Sequence, residues 1–434
     1  MQGVTTSSID TLLDNIFADV KMIDLVPNEN SPVWDDLSEA PAENMNQKGG
    51  FYLVKLGATN SAQDSQFSDS EFTDFPLPTN SEYLRLQVLP IVTRATVQVT
   101  DHAELQDKAK YKEMPAKDVD TVLNDINGEL RFVDLKRSRQ IWGDRTNVIG
   151  TVGSIVTGTR TVTNDMSTNL FGSRFFEKGM RVEFRDTSFV LRQDVAGLPY
   201  VKTDVVNKTL GTWKYAAATP APVGVAAGDL IYGWGDYNNA WAGIDYHTKT
   251  TGAWQGMADR SIHDRTRGIR IPAGGAGVSA SLLRRAISAR RNRLDQGKKR
   301  PGLKFYASAQ YDMYEASGFP QQGYADGGAD LKRGFRKLFF GEIEFVYDRF
   351  VPYDAIFLGD LSKLHKFGMQ NFQPIKDPGT GSYLRRLPGG DGQRWSPKKQ
   401  IIFQGVGNTG TNDPAGLGVW ITGLAVSDVS IGYE

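Results

Sequence analysis

The stretch Pro115–Trp142, PAKDVDTVLNDINGELRFVDLKRSRQIW, decides how the rest of the chain is read. Val119, Val122, Leu123, Ile126, Leu130, Val133 and Ile141 return mostly at steps of three and four, which predicts a helix with one apolar face over 115–142. Pro115 suits the first turn, where its missing N–H is not needed, and Gly143 ends the pattern. At 1.5 Å per residue such a helix is about 42 Å long, several times what a compact connection needs. It suits either the central core helix of an α+β domain or a strut that crosses a flat subunit.

Forty-six glycines and 11% aromatic residues favour strands and loops around a few helices. With 434 residues there is material for two or three domains. Fifty Lys and Arg balance fifty Asp and Glu, so no overall field draws in nucleic acid or an acidic membrane. The absence of cysteine excludes disulfides, thiolate metal sites and cysteine nucleophiles. No run of about 18 apolar residues exists, and the first residues, MQGVTTSSIDTLL, lack a basic, apolar signal pattern. A soluble protein made inside the cell, with no membrane partner, is the expectation.

Outward from the helix, the segment before it reads as an extended ribbon. FYLVKLG (51–57) and YLRLQVLPIVTRATVQVT (83–100) are β-type runs joined by a polar stretch with four acidic residues before Pro76. Arms of about 20 residues could reach roughly 65 Å. A lone two-stranded ribbon is marginal in water, so Leu84, Leu86 and Val88 are expected to bury themselves on an adjacent copy. Further upstream, Ile9, Leu12, Leu13, Ile16, Phe17 and Val20 form a helical stripe after Ser7 and Ser8, which can cap it. Residues 27–48 hold three prolines and little periodicity. They read as an arm that needs a partner surface rather than part of a core.

Downstream, residues 150–238 are almost wholly β-like, with SIVTGTRTVT, GMRVEFRD, YVKTDVVNKTLGTWKY and GDLIYGW punctuated by turn residues. They read as an inserted barrel or sandwich, with Trp213, Tyr215, Tyr232 and Trp234 as its core. A helix follows at 279–294, then a strand (303–308), a short helix (309–317), a glycine-rich loop (318–334), strands at 342–351 and 355–360, and a short helix, LSKLHKF (361–367).

Three stretches could carry chemistry. IPAGGAGVSA fits G-x-G-x-x-A through Gly275, Gly277 and Ala280, but the charged, proline-bearing RGIRIPA before it is unlike a buried parallel strand, so a plain loop is the simpler reading. His102, His247, His263 and His365 are scattered without metal spacing, and no nucleophile-elbow, zincin or Walker pattern is present. His247 and His263 lie near Asp245, Asp259 and Asp264 and read as single polar loop residues. Arg284, Arg285, Arg290, Arg291 and Arg293 make one basic stretch. It suits a solvated helix face, contact with phosphate, or contact with an acidic neighbouring subunit.

Taken in order, these pieces resemble the major capsid proteins of tailed double-stranded DNA bacteriophages, with their α+β Hong Kong 97-type capsid fold. The matching pieces are QIWGDRTN (140–147) closing the helix, AGIDYHTKTTGAWQGMADRS (242–261), SASLLRRAISARR, GLKFYASAQYDMYEA (302–316), FFGEIEFVYDRFVPYDAIFLGDLSKLHKF (339–367) and RWSPKKQIIFQGVG. The resemblance covers about 350 residues and is one of layout more than rigid motif. It implies an N-terminal arm (1–48), an extended loop (49–97), a peripheral domain (98–149 and 367–412) with 115–142 as its spine, an inserted β-domain (150–238) and an axial domain (239–366 and 413–434). Phe319, Tyr324, Asp326, Lys332 and Arg333 would lie in the axial loop at the vertices.

The function it implies is a structural shell protein without cofactor or metal. Hexamers and pentamers would enclose packaged double-stranded DNA, bound non-specifically, in an icosahedral virion capsid assembled in the host cytoplasm. A portal, a separate scaffolding protein and decoration proteins are the implied partners. An encapsulin-like compartment around protein cargo, and a carbohydrate-active or nucleotide-binding enzyme, are the alternatives.

Overall fold

A computed structural model describes residues 33–40, 45–46, 49–55, 83–100, 121–165, 175–192, 197–207, 211–217, 222–293, 302–317, 338–383, 385–386 and 398–426. The long helix is described as Thr121–Trp142. Residues 115–120, the stripe Ile9, Leu12, Leu13, Ile16, Phe17 and Val20, and the loop residues Phe319, Tyr324, Asp326, Lys332 and Arg333 lie outside the described residues.

This helix, roughly 33 Å long, touches three cores on different sides. Ile126 and Val133, with Leu130 beside them, pack on Ala95, Val97, Ile401 and Phe403 of a five-stranded sheet. Phe132 packs against the core of a seven-stranded sheet, and Lys136 pairs with Asp236 there. Ile141 and Trp142 enter the core beneath a six-stranded sheet. Helices that pack on several sides carry apolar residues on several sides, which is why a single stripe does not account for Phe132, Leu135 and Trp142.

In the five-stranded sheet, His365–Pro374 pairs antiparallel with Lys398–Gly410, which pairs antiparallel with Ile91–Thr100; Ser38–Glu39 and Arg385–Arg386 add short edges. Two expectations are corrected here. LSKLHKF is a 3-10 turn, Leu361–Lys363, running into the strand His365–Pro374. The run 83–100 is two strands, Tyr83–Val88 and Ile91–Thr100, in different sheets. Pro90, without an N–H, sits at the break. The described ribbon is therefore short, Gly49–Lys55 against Tyr83–Val88.

Part of the expected arm also belongs to the body. Val33 and Leu37 are buried in the same core as Trp142, and Asp36 accepts hydrogen bonds from Lys304 Nζ (3.0 Å) and Tyr306 Oη (2.9 Å).

The six-stranded sheet runs Ile269–Pro272, Gly418–Thr422, Ile356–Gly359, Lys304–Ala307, Ile343–Tyr347, Leu338–Phe340. Its two faces follow the period of two along a strand. Phe305, Ala307, Ile356, Leu358, Val419 and Ile421 face one core with Leu283, Ala286 and Tyr314 of the helices Ala280–Arg293 and Ala309–Ala316. Tyr306, Phe357 and Trp420 face the other, with Trp142.

Residues 148–233 supply all seven strands of the remaining sheet, in the order Val201–Asn207, Thr212–Tyr215, Thr161–Asn164, Val148–Val156, Leu230–Gly233, Arg181–Arg185, Leu191–Arg192. Val201–Asn207 also pairs with Arg181–Arg185, so the sheet curls back on itself. Its core holds Trp213 stacked between Phe176 (5.4 Å) and Phe184 (5.9 Å).

Candidate functional site

The long helix ends in the core beneath the six-stranded sheet, with Ile141 and Trp142. Asp144 accepts from Thr146 N (3.0 Å) and Oγ1, and from Lys249 Nζ (3.2 Å). Burial favours the neutral acid, but Lys249 and the Thr146 bonds outweigh it and hold the carboxyl below its ordinary value. Arg145 and Asn147 both take positive φ in this turn, and Arg139 Nη2 donates to Asn147 Oδ1 (2.8 Å). Gly243 lies against the helix end: a Cβ there would meet Gln140 O at 2.3 Å and Gly143 O at 2.4 Å. Glycine is what that approach requires.

A cleft of about 360 Å³ opens beside this junction, lined by Arg139, Gln140, Asp144, Asn147, Asp245 and Arg270 among others. Asp245 is paired with Arg270 and Asp144 with Lys249. These two pairs, and the Arg139 bond to Asn147, commit those groups to packing contacts.

Next to it, His247 is fully buried in a knot, not a loop residue as expected. Trp254 Nε1 donates to His247 Nδ1 (3.1 Å), and Arg260, also fully buried, donates through Nη1 to His247 O (2.9 Å) and Lys249 O (3.1 Å). Burial, followed by the adjacent Arg260 charge, pushes the imidazole down to about 3. An unfolded histidine titrates near ~6.5. The unfolded chain therefore takes up the proton first, so this group's stability is complete above about pH 6.5 and is lost as pH falls toward about 3. Over that window the loss should approach roughly 3–5 kcal/mol. His247→Gln keeps an acceptor for Trp254 and removes the titration. Urea midpoints between about pH 6.5 and pH 4 should fall less steeply in that variant than in wild type; equal slopes would exclude His247 as the acid-sensitive group.

Among the described residues no three His, Asp or Glu side chains gather as a metal site, and no helix is long and apolar enough to cross a membrane. The GGAG segment follows a real strand, Ile269–Pro272, but two strands separate it from Lys304–Ala307. That is not the adjacent βαβ unit a dinucleotide fold needs.

The basic stretch divides in two. Arg284, Arg285 and Arg291 are exposed on Ala280–Arg293. Arg290 is buried and donates to Gly416 O (3.0 Å), while Arg293 donates to Arg267 O (3.0 Å) and Asp264 Oδ1 (2.6 Å). The expectation of a single basic face is thus corrected: Arg290 and Arg293 staple the helix to its own subunit. The signal was present in the spacing, since Arg290 continues the stripe of Leu283 and Ala286. Arg290→Ala should cost about 3 kcal/mol in urea unfolding. Arg284→Ala and Arg285→Ala should stay within about 0.5 kcal/mol of wild type, and a large loss from either would contradict the division.

On the ribbon, Leu86 and Val88 are buried with Tyr52, Trp254 and Phe367 of the same chain, and Leu84 packs partly against them. Leu86 and Val88 are closed off, contrary to expectation, because Gln87 N donates to Gln255 O (2.8 Å) and seats this face on the body, while Leu84 is half-buried. The opposite face carries Leu53, 73% exposed, and Arg85 over the Phe51 ring (4.1 Å). Trp213 and Tyr215 are buried in the sheet core as expected, but Tyr232 is buried outside that core, against Tyr237, and Trp234 is 46% exposed. Ile231 points into the sheet core, so the period of two turns Trp234 outward.

No protein-family model matches the chain, and no curated protein matches it. Solved structures do. The chain is similar to a subunit of the cyanophage A-1(L) capsid asymmetric unit, at 11% identity and TM-score 0.49 over 91% of this chain and 93% of that one. It is also similar to chains of Mycobacterium phage Bobi (9%, 0.43, 98% and 99%) and Gordonia phage Cozz (10%, 0.41, 92% and 87%).

Proposed function

We propose that this chain is a shell-forming subunit with the Hong Kong 97-type capsid architecture. More particularly, we read it as the major capsid protein of a tailed double-stranded DNA phage. The observation that carries this is the long helix tying together three separate cores, beside a ribbon whose described root packs on the body. An enzyme domain would centre such a helix on one core facing one cleft. Here apolar side chains on the strands and their connection are left open instead, among them Leu53, Leu89 and Val92, all exposed.

In this reading the five-stranded sheet and the helix make the peripheral domain, the six-stranded sheet makes the axial domain, and the seven-stranded sheet is an insertion between them. Hexamers and pentamers close around non-specifically held DNA, with a portal and a separate scaffolding protein taking part in assembly. Electron microscopy of the purified chain, with nucleic-acid content measured, tests this. Closed shells assembled with a scaffold and filled with DNA are expected. Shells around protein cargo would favour a nanocompartment, and a small oligomer that never closes would overturn the shell reading.

A further inference from the structure

The outer face of the seven-stranded sheet carries cations that the fold leaves unmatched. Arg181 and Lys202 stand directly opposite one another in register on adjacent strands. Both are exposed, and neither forms an ion pair among the described residues. Like charges placed opposite one another cost stability. Trp234 and Tyr200 lie beside them, ring centroids 4.8 Å apart, with the Arg181 guanidinium 5.1 Å from Tyr200 and 5.4 Å from Trp234. Leu198, 42% exposed, is close in sequence to Tyr200. The sheet's own core lies on the other side, with Val182 and Val201, so the fold does not require this surface. Tryptophan, tyrosine and arginine are the residues that dominate protein–protein binding energy.

We propose that this face receives residues 58–82 of a second copy of the chain. That segment, ATNSAQDSQFSDSEFTDFPLPTNSE, has five carboxylates (Asp64, Asp69, Glu71, Asp74, Glu82) and no lysine or arginine. Phe67, Phe72 and Phe75 are interspersed among the acids. Both halves of the surface are therefore matched: carboxylates meet Arg181 and Lys202, and a phenylalanine ring packs on Trp234 and Tyr200. A phosphate-bearing partner would match the cations, but this acidic segment brings interspersed phenylalanines as well. The inference rests on the shell reading, in which each ribbon reaches onto an adjacent subunit.

The chain has no cysteine, so a disulfide trap has no background. Lys202→Cys combined with Ser70→Cys in the full-length protein, mildly oxidised under assembly conditions, should give a ladder of multiples on a non-reducing gel. Adding Arg181→Glu and Trp234→Ala should reduce the ladder at least tenfold, with far-ultraviolet circular dichroism unchanged because both side chains are largely outside the core. Monomer only, an internal disulfide within one chain, or a ladder undiminished by those two changes would each overturn the docking. So would retention of added duplex DNA that Arg181→Glu abolishes while no ladder forms. Electron micrographs of the same samples decide the shell reading separately: shells without a ladder refute the docking alone, and a ladder without shells refutes the shell alone.

Discussion

Trp142→Ala should leave a chain that accumulates mainly as aggregate, with any soluble fraction destabilised by about 4–8 kcal/mol. Trp142 is fully buried at the end of the long helix, and its ring meets Tyr306 (5.7 Å), Phe357 (5.8 Å) and Trp420 (5.8 Å). Truncating a buried tryptophan typically costs about 3–5 kcal/mol through lost transfer energy and the cavity left behind. A second loss adds to it. Trp142 Nε1 donates to Asp348 Oδ2 (2.9 Å), and Asp348, itself buried, orders the next turn by accepting from Phe350 N (2.8 Å). Removing that donor costs about 1–3 kcal/mol more. Against a total stability of about 5–15 kcal/mol, the sum decides whether the chain folds. Trp142→Phe keeps most of the packing and loses the donor, so it should fold with a urea midpoint lowered by about 1–3 kcal/mol equivalent. Alanine and wild-type proteins within 1 kcal/mol of each other would show that Trp142 does not anchor this end of the helix in the core beneath the six-stranded sheet.

The long helix was legible because its signals are local: apolar recurrence, and a glycine that ends it. Three strands of the six-stranded sheet were legible for the same reason, since LKFYAS, EIEFVYDRFV and AIFLGD are short apolar-rich runs bounded by turn residues, whereas the charge and proline of RGIRIPA hid the strand Ile269–Pro272. What was not legible is which strands meet. Ile91–Thr100 pairs over its whole length with Lys398–Gly410, some three hundred residues away, and nothing in either segment names the other. The ribbon was over-extended for that reason, although Pro90 marked the break.

LSKLHKF misled in a different way. Leu361, Leu364 and Phe367 recur at helical spacing, yet Phe367 sits edge-on to Tyr52 of the ribbon (5.3 Å) as part of a strand. Tertiary contact overrides a short local pattern. At the candidate surfaces the lesson concerns faces. Arg290 and Trp234 were each assigned by residue type, one to solvent and one to core, and in both cases the period of the element reverses the assignment.

Deleting residues 58–82 should abolish closed shells while leaving the subunit folded. The described register of the ribbon ends with Lys55 opposite Tyr83. The deletion joins Gly57 to Tyr83, so Leu56 and Gly57 become a two-residue hairpin loop, and Leu56→Asn makes it the Asn-Gly pair such loops favour. The root is untouched, since Tyr52, Leu86 and Val88 still pack on Trp254 and Phe367. Shortening the connection also lowers its closure entropy, which favours the folded subunit by about 2 kcal/mol at most. The thermal midpoint should therefore match or exceed that of wild type, and circular dichroism should be unchanged. Assembly should behave in the opposite way. The deletion removes all five carboxylates and all three phenylalanines of the segment that reaches beyond the root, and no other described element replaces that contact. Sedimentation should show subunits or small oligomers in place of particles, a loss on the order of a hundredfold in closed shells, since each tenfold in an association constant takes about 1.4 kcal/mol and many identical contacts are removed at once. Particles of normal yield and size from the deleted chain would show that the ribbon is not an intersubunit element.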